Sequence, residues 1–179
     1  SDLEGGAGAL ACSSGMAAVS AALLAVCQSG DEIIAGRGLY GGTIDLFHDL
    51  EKYGIRTVFT ELVPEKVAPL INERTRVVFG EFISNPSLAV LDVEGVSSVA
   101  HQAGIPLFVD ATTVTPFLAR PLSLGADVVI HSTSKYINGG GNSSGGVIVD
   151  GGHFRWDFDR HASLGEFRRF GRGAFLVRL

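Results

Sequence analysis

The run Ile105-Pro106-Leu107-Phe108-Val109 is uninterrupted in its apolar character and stops on Asp110. A segment this short, with no polar alternation, reads as a strand covered on both faces, which requires helices above and below a largely parallel sheet. A second strand of this kind, Ala126 to Ile130, runs into His131-Ser132-Thr133-Ser134-Lys135-Tyr136-Ile137-Asn138-Gly139-Gly140-Gly141. Polar residues that appear where such strands end stand at the edge where open α/β sheets bind ligands. The rest of the chain supports this architecture, because extended and helical patterns alternate with turn signals as in consecutive βα units.

Taken in order, Ala9-Leu10-Ala11-Cys12 leads into Ser13-Ser14-Gly15, and Met16 to Cys27 is an Ala- and Leu-rich helix apolar on nearly all sides. Glu32 to Ala35 is a short strand. Tyr40-Gly41-Gly42-Thr43 opens an amphipathic helix carrying Ile44, Leu46, Phe47 and Leu50, and Gly54 closes it. Ile55 to Thr60 is a strand, Pro64 to Asn72 a short helix, and Arg76 to Glu81 another strand before a turn at Asn85-Pro86. Asp92 caps a helix to Ala103, with Gly104 after it. Gly145 to Asp150 follows the lysine turn so closely that an antiparallel return is expected, which makes the sheet mixed.

Composition narrows the function classes. In 179 residues the net charge is −5, which argues against a general nucleic-acid or membrane-surface binder. From Arg155 onward, six of the fourteen basic residues mix with phenylalanines, but Asp157, Asp159 and Glu166 are interspersed and no RNA-binding motif is present. This stretch reads as a solvated or interdomain segment. No apolar run has the length of a membrane span, and the basic region of a signal peptide is absent, so a cytoplasmic location is expected. The two cysteines, Cys12 and Cys27, read as reduced core thiols. No His/Cys cluster has metal-ligand spacing, and no Gly-x-Ser-x-Gly elbow is present.

The chemistry lies at the predicted strand ends. Lys135, just beyond a buried strand, is either a surface lysine in a polar loop or a desolvated amine able to form a Schiff base. Ser13-Ser14-Gly15-Met16 before a helix offers free N–H groups to a phosphate, or is ordinary N-capping. Ser132 and Ser134 can serve the same phosphate or satisfy their own turn. Asp110 can keep a heteroaromatic nitrogen protonated, or act as a cap or ion-pair partner; Tyr40 can stack on that ring, or pack in the core. Together, a phosphate cradle, a stacking tyrosine, an acid and a Schiff-base lysine make up a pyridoxal phosphate site.

These residues resemble a known family, the Cys/Met-metabolism pyridoxal phosphate enzymes: the cystathionine γ-synthases, the cystathionine and methionine lyases, and the O-acetylhomoserine sulfhydrylases. The resemblance runs from about Leu3 to Trp156 and is carried by Ser13 to Ala18, Leu39 to Thr43, Glu81 with Asn85-Pro86, Val109-Asp110-Ala111-Thr112 with Thr115-Pro116, and His131 to Tyr136. The run Ser144 to Gly152 and the lysine turn are most similar to the sulfhydrylase branch. Ala111 and Gly140 stand where the family usually has Asn and His. The family's amino-terminal Tyr-x-Arg segment and its carboxyl-terminal domain have no counterpart here.

The resemblance implies a fold-type I large domain over residues 1–156, mostly parallel but mixed, with helices on both faces and incomplete at its amino terminus. Residues 157–179 are expected to lead toward a missing carboxyl-terminal domain. It implies that Lys135 carries pyridoxal phosphate covalently and moves protons, that Gly15, Met16, Ser132 and Ser134 bind the phosphate, that Tyr40 stacks on the ring, that Asp110 pairs with its nitrogen, and that Asn85 and Thr112 lie near it. The implied reaction is γ-replacement on an activated amino acid, O-acetylhomoserine with a sulfide source, in methionine biosynthesis. The implied assembly is a dimer of dimers, with a sulfur-carrier protein as a further possible donor. A γ-lyase or cystathionine γ-synthase, and a cofactor-free scaffold fragment, are the competing readings.

Overall fold

The apolar runs pair into one seven-stranded sheet in a computed structural model that describes residues 1–179. The strands are β1 (Gly8–Cys12), β2 (Glu32–Gly36), β3 (Arg56–Thr60), β4 (Thr75–Glu81), β5 (Leu107–Asp110), β6 (Val128–His131) and β7 (Gly146–Asp150). The helices are α1 (Gly15–Val26), α2 (Gly41–Glu51), α3 (Pro64–Val67), α4 (Val93–Gln102), α5 (Thr115–Leu118) and α6 (Ala174–Arg178). Across the sheet the order is β1-β7-β6-β5-β4-β2-β3. Strands β2 to β6 pair in parallel, while β7 is antiparallel to both β6 and β1, so β7 alone is reversed. The sheet is mixed, as expected from the sequence.

Side chains alternate across the sheet into two separate cores. On one side, Ile33, Ala35, Val77, Phe79, Phe108, Val128 and Ile130 pack against α1 and Phe47 of α2. On the other, Ile34, Val78, Leu107, Val109 and Val129 pack against Val67, Val93, Val96 and Ala100 of α3 and α4. Phe79 meets Phe47 edge-on, with ring centroids 5.4 Å apart. The segment after Trp156 lies on the α1 side: Leu164 and Phe175 are fully buried, and Phe175 packs on Phe108 and Trp156.

Local signals set most boundaries. Ser14 caps α1 by accepting the Ala17 N–H at 3.0 Å, and Asp92 caps α4 through the Gly95 N–H at 2.9 Å. Gly54 and Gly104 take positive φ just beyond α2 and α4, where a side chain would be strained. Three features differ from the sequence expectation. Strand β1 begins at Gly8, one residue before the Ala9–Cys12 run that leads to the Ser13 strand end, and is an edge strand of small residues with alternate residues exposed. The helix expected over Pro64 to Asn72 is α3 followed by a 3-10 turn, Ala68–Leu70, with Pro69 unable to continue the α-helical bonding. Cys27 is buried as expected, but Cys12 is only half-buried. No helix is long and apolar enough to cross a membrane.

The edge opposite the strand ends is held by buried carboxylates. Asp31 pairs with Arg76 at 2.8 Å. Asp127 accepts the Leu107 N–H at 2.8 Å, contacts His101 Nε2 at 2.8 Å, and lies 3.1 Å from His153 Nε2. Asp127 therefore ties the start of β5 to the last turn of α4 and to the exit of β7.

The Asp127 carboxylate holds the His153 imidazole above its ordinary value of 6.5. A histidine raised in the folded state contributes stability that is complete below the unfolded value and is lost as pH climbs through the folded one. The thermal midpoint should therefore fall above about pH 6.5 more steeply in the wild type than in His153→Ala. Equal slopes in a calorimetric series would show that this pair does not contribute.

Candidate active site

A cavity of about 810 Å³ opens at the carboxyl edge of the sheet. It is lined by the first turn of α1, the start of α2, the ends of β4 and β5, and the turn after β6. Every site residue anticipated from the sequence lines it: Gly15, Met16, Tyr40, Asn85, Asp110, Thr112, Ser132, Ser134 and Lys135. The parallel direction of β4, β5 and β6 brings these scattered positions to one crevice.

Ser14 uses its hydroxyl on Ala17 and its carbonyl on the Ala18 N–H, which leaves the Gly15 and Met16 N–H groups without partners in the chain. The Ser13-Ser14-Gly15-Met16 motif thus combines both readings, with Ser14 as cap and the next two amides free at the positive end of a twelve-residue helix. The glycine is required sterically, since a Cβ on Gly15 would lie 2.5 Å from the Ser132 Cβ. Ser132 therefore stands directly over the first turn of α1.

Thr112 joins the ends of β5 and β6. Its N–H donates to Asp110 Oδ1 at 2.9 Å, and its Oγ1 accepts the Ser132 N–H at 2.7 Å. Burial pushes the Asp110 carboxyl above the usual carboxylate range, against the opposing pull of the Thr112 hydrogen bonds and His131. No basic side chain makes an ion pair with Asp110. His131 points to the other face of β6, where it meets the buried Glu4 at 2.6 Å.

At two positions the structure bears on readings that the sequence left open. Lys135, either a surface lysine or a desolvated amine from the sequence, is exposed, because its turn carries it out beyond the end of β6; its amine has no carboxylate partner. Ser134 faces the cavity, but its hydroxyl donates to the Gly145 carbonyl at 3.2 Å and accepts the Gly145 N–H at 2.9 Å. It pins the glycine-rich loop to the lysine turn. Tyr40 is half-exposed at the mouth rather than in the core. Gly42 makes room for its ring, since a Cβ there would lie 2.7 Å from Tyr40 Cε1.

The sequence reading named Glu81 only as part of a motif, yet it is a site residue. Its Oε1 accepts the Tyr40 N–H at 2.6 Å and its Oε2 the Asn85 N–H at 3.1 Å. Burial pushes its carboxyl up to about 7, with the Tyr40 N–H opposing and Asp110 reinforcing the shift. The available signal was the one that exposed Asp110, an acid closing a buried strand.

Known proteins resemble the chain along nearly all of its length. Residues 1–167 match the family described as Cys/Met metabolism PLP-dependent enzyme. An O-acetyl-L-homoserine sulfhydrylase of Leptospira meyeri is 43% identical over 170 residues, which is 94% of this chain and 37% of that protein. The solved O-acetylhomoserine sulfhydrylase of Wolinella succinogenes superposes with a TM-score of 0.88 at 38% identity, over 99% of this chain and 51% of the other. A Campylobacter jejuni structure, described as a putative O-acetylhomoserine (thiol)-lyase with a pyridoxyl-lysine monophosphate residue, gives 0.85 at 34% identity, over 89% of this chain and 41% of that one. The chain thus spans between about a third and a half of the length of these relatives.

Thr112→Val leaves the Ser132 N–H without an acceptor and should cost about 1–2 kcal/mol in denaturant unfolding. Thr112→Ser, which keeps the oxygen, should recover most of the loss. A Val variant as stable as wild type would remove this bridge from the account.

Proposed function

We propose, on the premise that this chain belongs to the Cys/Met metabolism PLP-dependent enzyme family, that it forms the cofactor-binding part of an enzyme making homocysteine and acetate from O-acetylhomoserine and a sulfide source. The observation that carries this reading is the convergence of Lys135, Asp110, Tyr40 and two unpartnered helix-terminal amides on one cavity. The names of the similar proteins from Leptospira and Wolinella support the choice of substrate.

The residues present fit pyridoxal phosphate on two structural grounds. The free Gly15 and Met16 amides, with the Ser132 hydroxyl beside them, make a cradle for a phosphate group. Asp110, raised by burial and lacking a basic partner, gains most from a cation placed against it, which a protonated ring nitrogen is. Tyr40 would stack on the ring, and Asn85 and Thr112 would border it. Bound there, the cofactor supplies an electron-accepting ring that stabilises negative charge at the α-carbon of an amino acid.

The chain's own groups do the rest. Lys135 Nζ would provide the amine for covalent attachment and, once displaced by the substrate amine, would take the proton from the substrate α-carbon. Ser134 keeps the glycine-rich loop closed on the lysine turn, which limits the positions Lys135 can sample. Lys135 is the sole cation lining the cavity, so cations for the phosphate and the substrate carboxylate would come from other segments; the family resemblance suggests a homo-oligomer, a dimer of dimers. The two free thiols are in keeping with action in the cytoplasm.

Full-length protein mixed with pyridoxal phosphate should develop a visible absorption band that Lys135→Ala abolishes. Supplied with O-acetylhomoserine and sulfide, it should release homocysteine, and replacing sulfide by a thiocarboxylated carrier protein identifies the donor. Absence of the band in wild type would overturn the reading, and 2-oxobutyrate as the main product would reassign the enzyme to the γ-lyases.

A further inference from the structure

Glu81 is a half-buried ionisable group at the cavity that the proposed reaction leaves unused. It closes β4, and in register across the sheet it stands beside Asp110. Its two oxygens are committed to different segments: Oε1 to the backbone N–H of Tyr40, at the start of α2, and Oε2 to that of Asn85, in the loop after β4. Tyr40 occupies the N-cap position of α2 without any side-chain cap. Its N–H, and through it the seat of its ring, is fixed by a carboxylate 41 residues further along the chain. Gly42 completes the seat from below.

We propose that Glu81 is a positioning residue that holds the Tyr40 ring and the Asn85 side chain against the cofactor pocket by gripping both backbone N–H groups with one carboxylate. The proposal rests on the reading of this cavity as a pyridoxal phosphate site. The ionised carboxylate accepts both N–H groups at full strength. Once protonated, one oxygen becomes a donor facing an N–H, and one of the two bonds is lost. Burial places this titration at about 7, so the grip is complete in mildly alkaline solution and loosens as pH falls through neutrality.

The charged and titratable groups around Glu81 are few. Asp110 faces it from β5 and pushes its proton affinity up, while Lys135 and the phenols of Tyr40 and Tyr136 line the same cavity. Arg37, beyond β2, turns instead toward the Phe59 carbonyl and the Glu61 carboxylate. No histidine lines the cavity.

The test uses the full-length protein labelled with 15N-tyrosine, free of cofactor, with the Tyr40 resonance assigned by its loss in Tyr40→Phe. The Tyr40 amide should titrate once with a midpoint near 7, should stay still in Glu81→Gln, and should titrate at lower pH in Asp110→Asn. Pyridoxal phosphate affinity, read from the visible band, should fall about tenfold from pH 8 to pH 6 in wild type beyond any change in Glu81→Gln, which should bind about tenfold more weakly at pH 8. If Glu81→Gln fails to fold by circular dichroism, Glu81→Asp replaces it, keeping the charge but too short to reach both amides, with the same weakening expected. A stationary Tyr40 amide in wild type, or a variant with wild-type affinity across the pH range, overturns the proposal. Absence of any band in wild type overturns the functional reading instead, and the amide titration still decides whether Glu81 holds Tyr40.

Discussion

Burial of β4, β5 and β6 on both faces constrains everything else in this molecule. Phe79, Phe108 and Ile130 face one core, and Val78, Val109 and Val129 face the other, so these strands have no solvent side on which to carry polar groups. Polar side chains are admitted only where the strands run out. Because the three strands are parallel, their exits coincide, and Glu81, Asp110 and the Ser132 to Lys135 turn become neighbours without any of them lying near another in sequence. The site results from the rule that keeps the sheet dry.

The same geometry creates an electrostatic tension. Glu81 and Asp110 are paired in register on adjacent strands, each two residues beyond a phenylalanine on the α1 side, so both side chains emerge on one face. Burial pushes both above their ordinary range, and the neighbouring Asp110 adds to the shift of Glu81. The chain meets the tension with unlike partners. Glu81 is given two backbone donors, whereas Asp110 receives the Thr112 amide and keeps no basic side chain beside it. One acid is thereby committed to architecture, and the other is left available for a ligand.

Much of this was legible in the residues. Short unbroken apolar runs, each ending in a polar group, define a doubly covered sheet and the edge at which chemistry must lie, and Asp110 and Lys135 stand out because they end such runs. What escaped depended on distance or on conformation. The grip of Glu81 on Tyr40 links positions 41 apart, which no local pattern encodes. Ser134 carries the same hydroxyl whether it serves a phosphate or closes a loop, and only the turn geometry assigns it to Gly145. The exposure of Lys135 follows from the path of its turn rather than from the strand before it. The short run before Ser13 is legible as a strand, but its antiparallel pairing with β7, far along the chain, is not.

Reversal of β7 has a consequence for how the molecule comes to exist. It is the bridge between β1 and β6, pairing Gly8 with Asp150 and Cys12 with Gly146, and Ser144 at its approach reaches back to the Ser13 carbonyl 131 residues away in sequence. Gly146 fits so closely under Ser14 that a side chain there would strike the Ser14 carbonyl. The free amides of α1 and the serine above them thus become one cradle only after a loop spanning most of the chain has closed, a slow and entropically costly event. Strands β2 to β6 pair in parallel through short βα connections, whereas β1 is joined to the sheet only through β7. The candidate site is thus the part of the sheet that rests on its longest-range contacts.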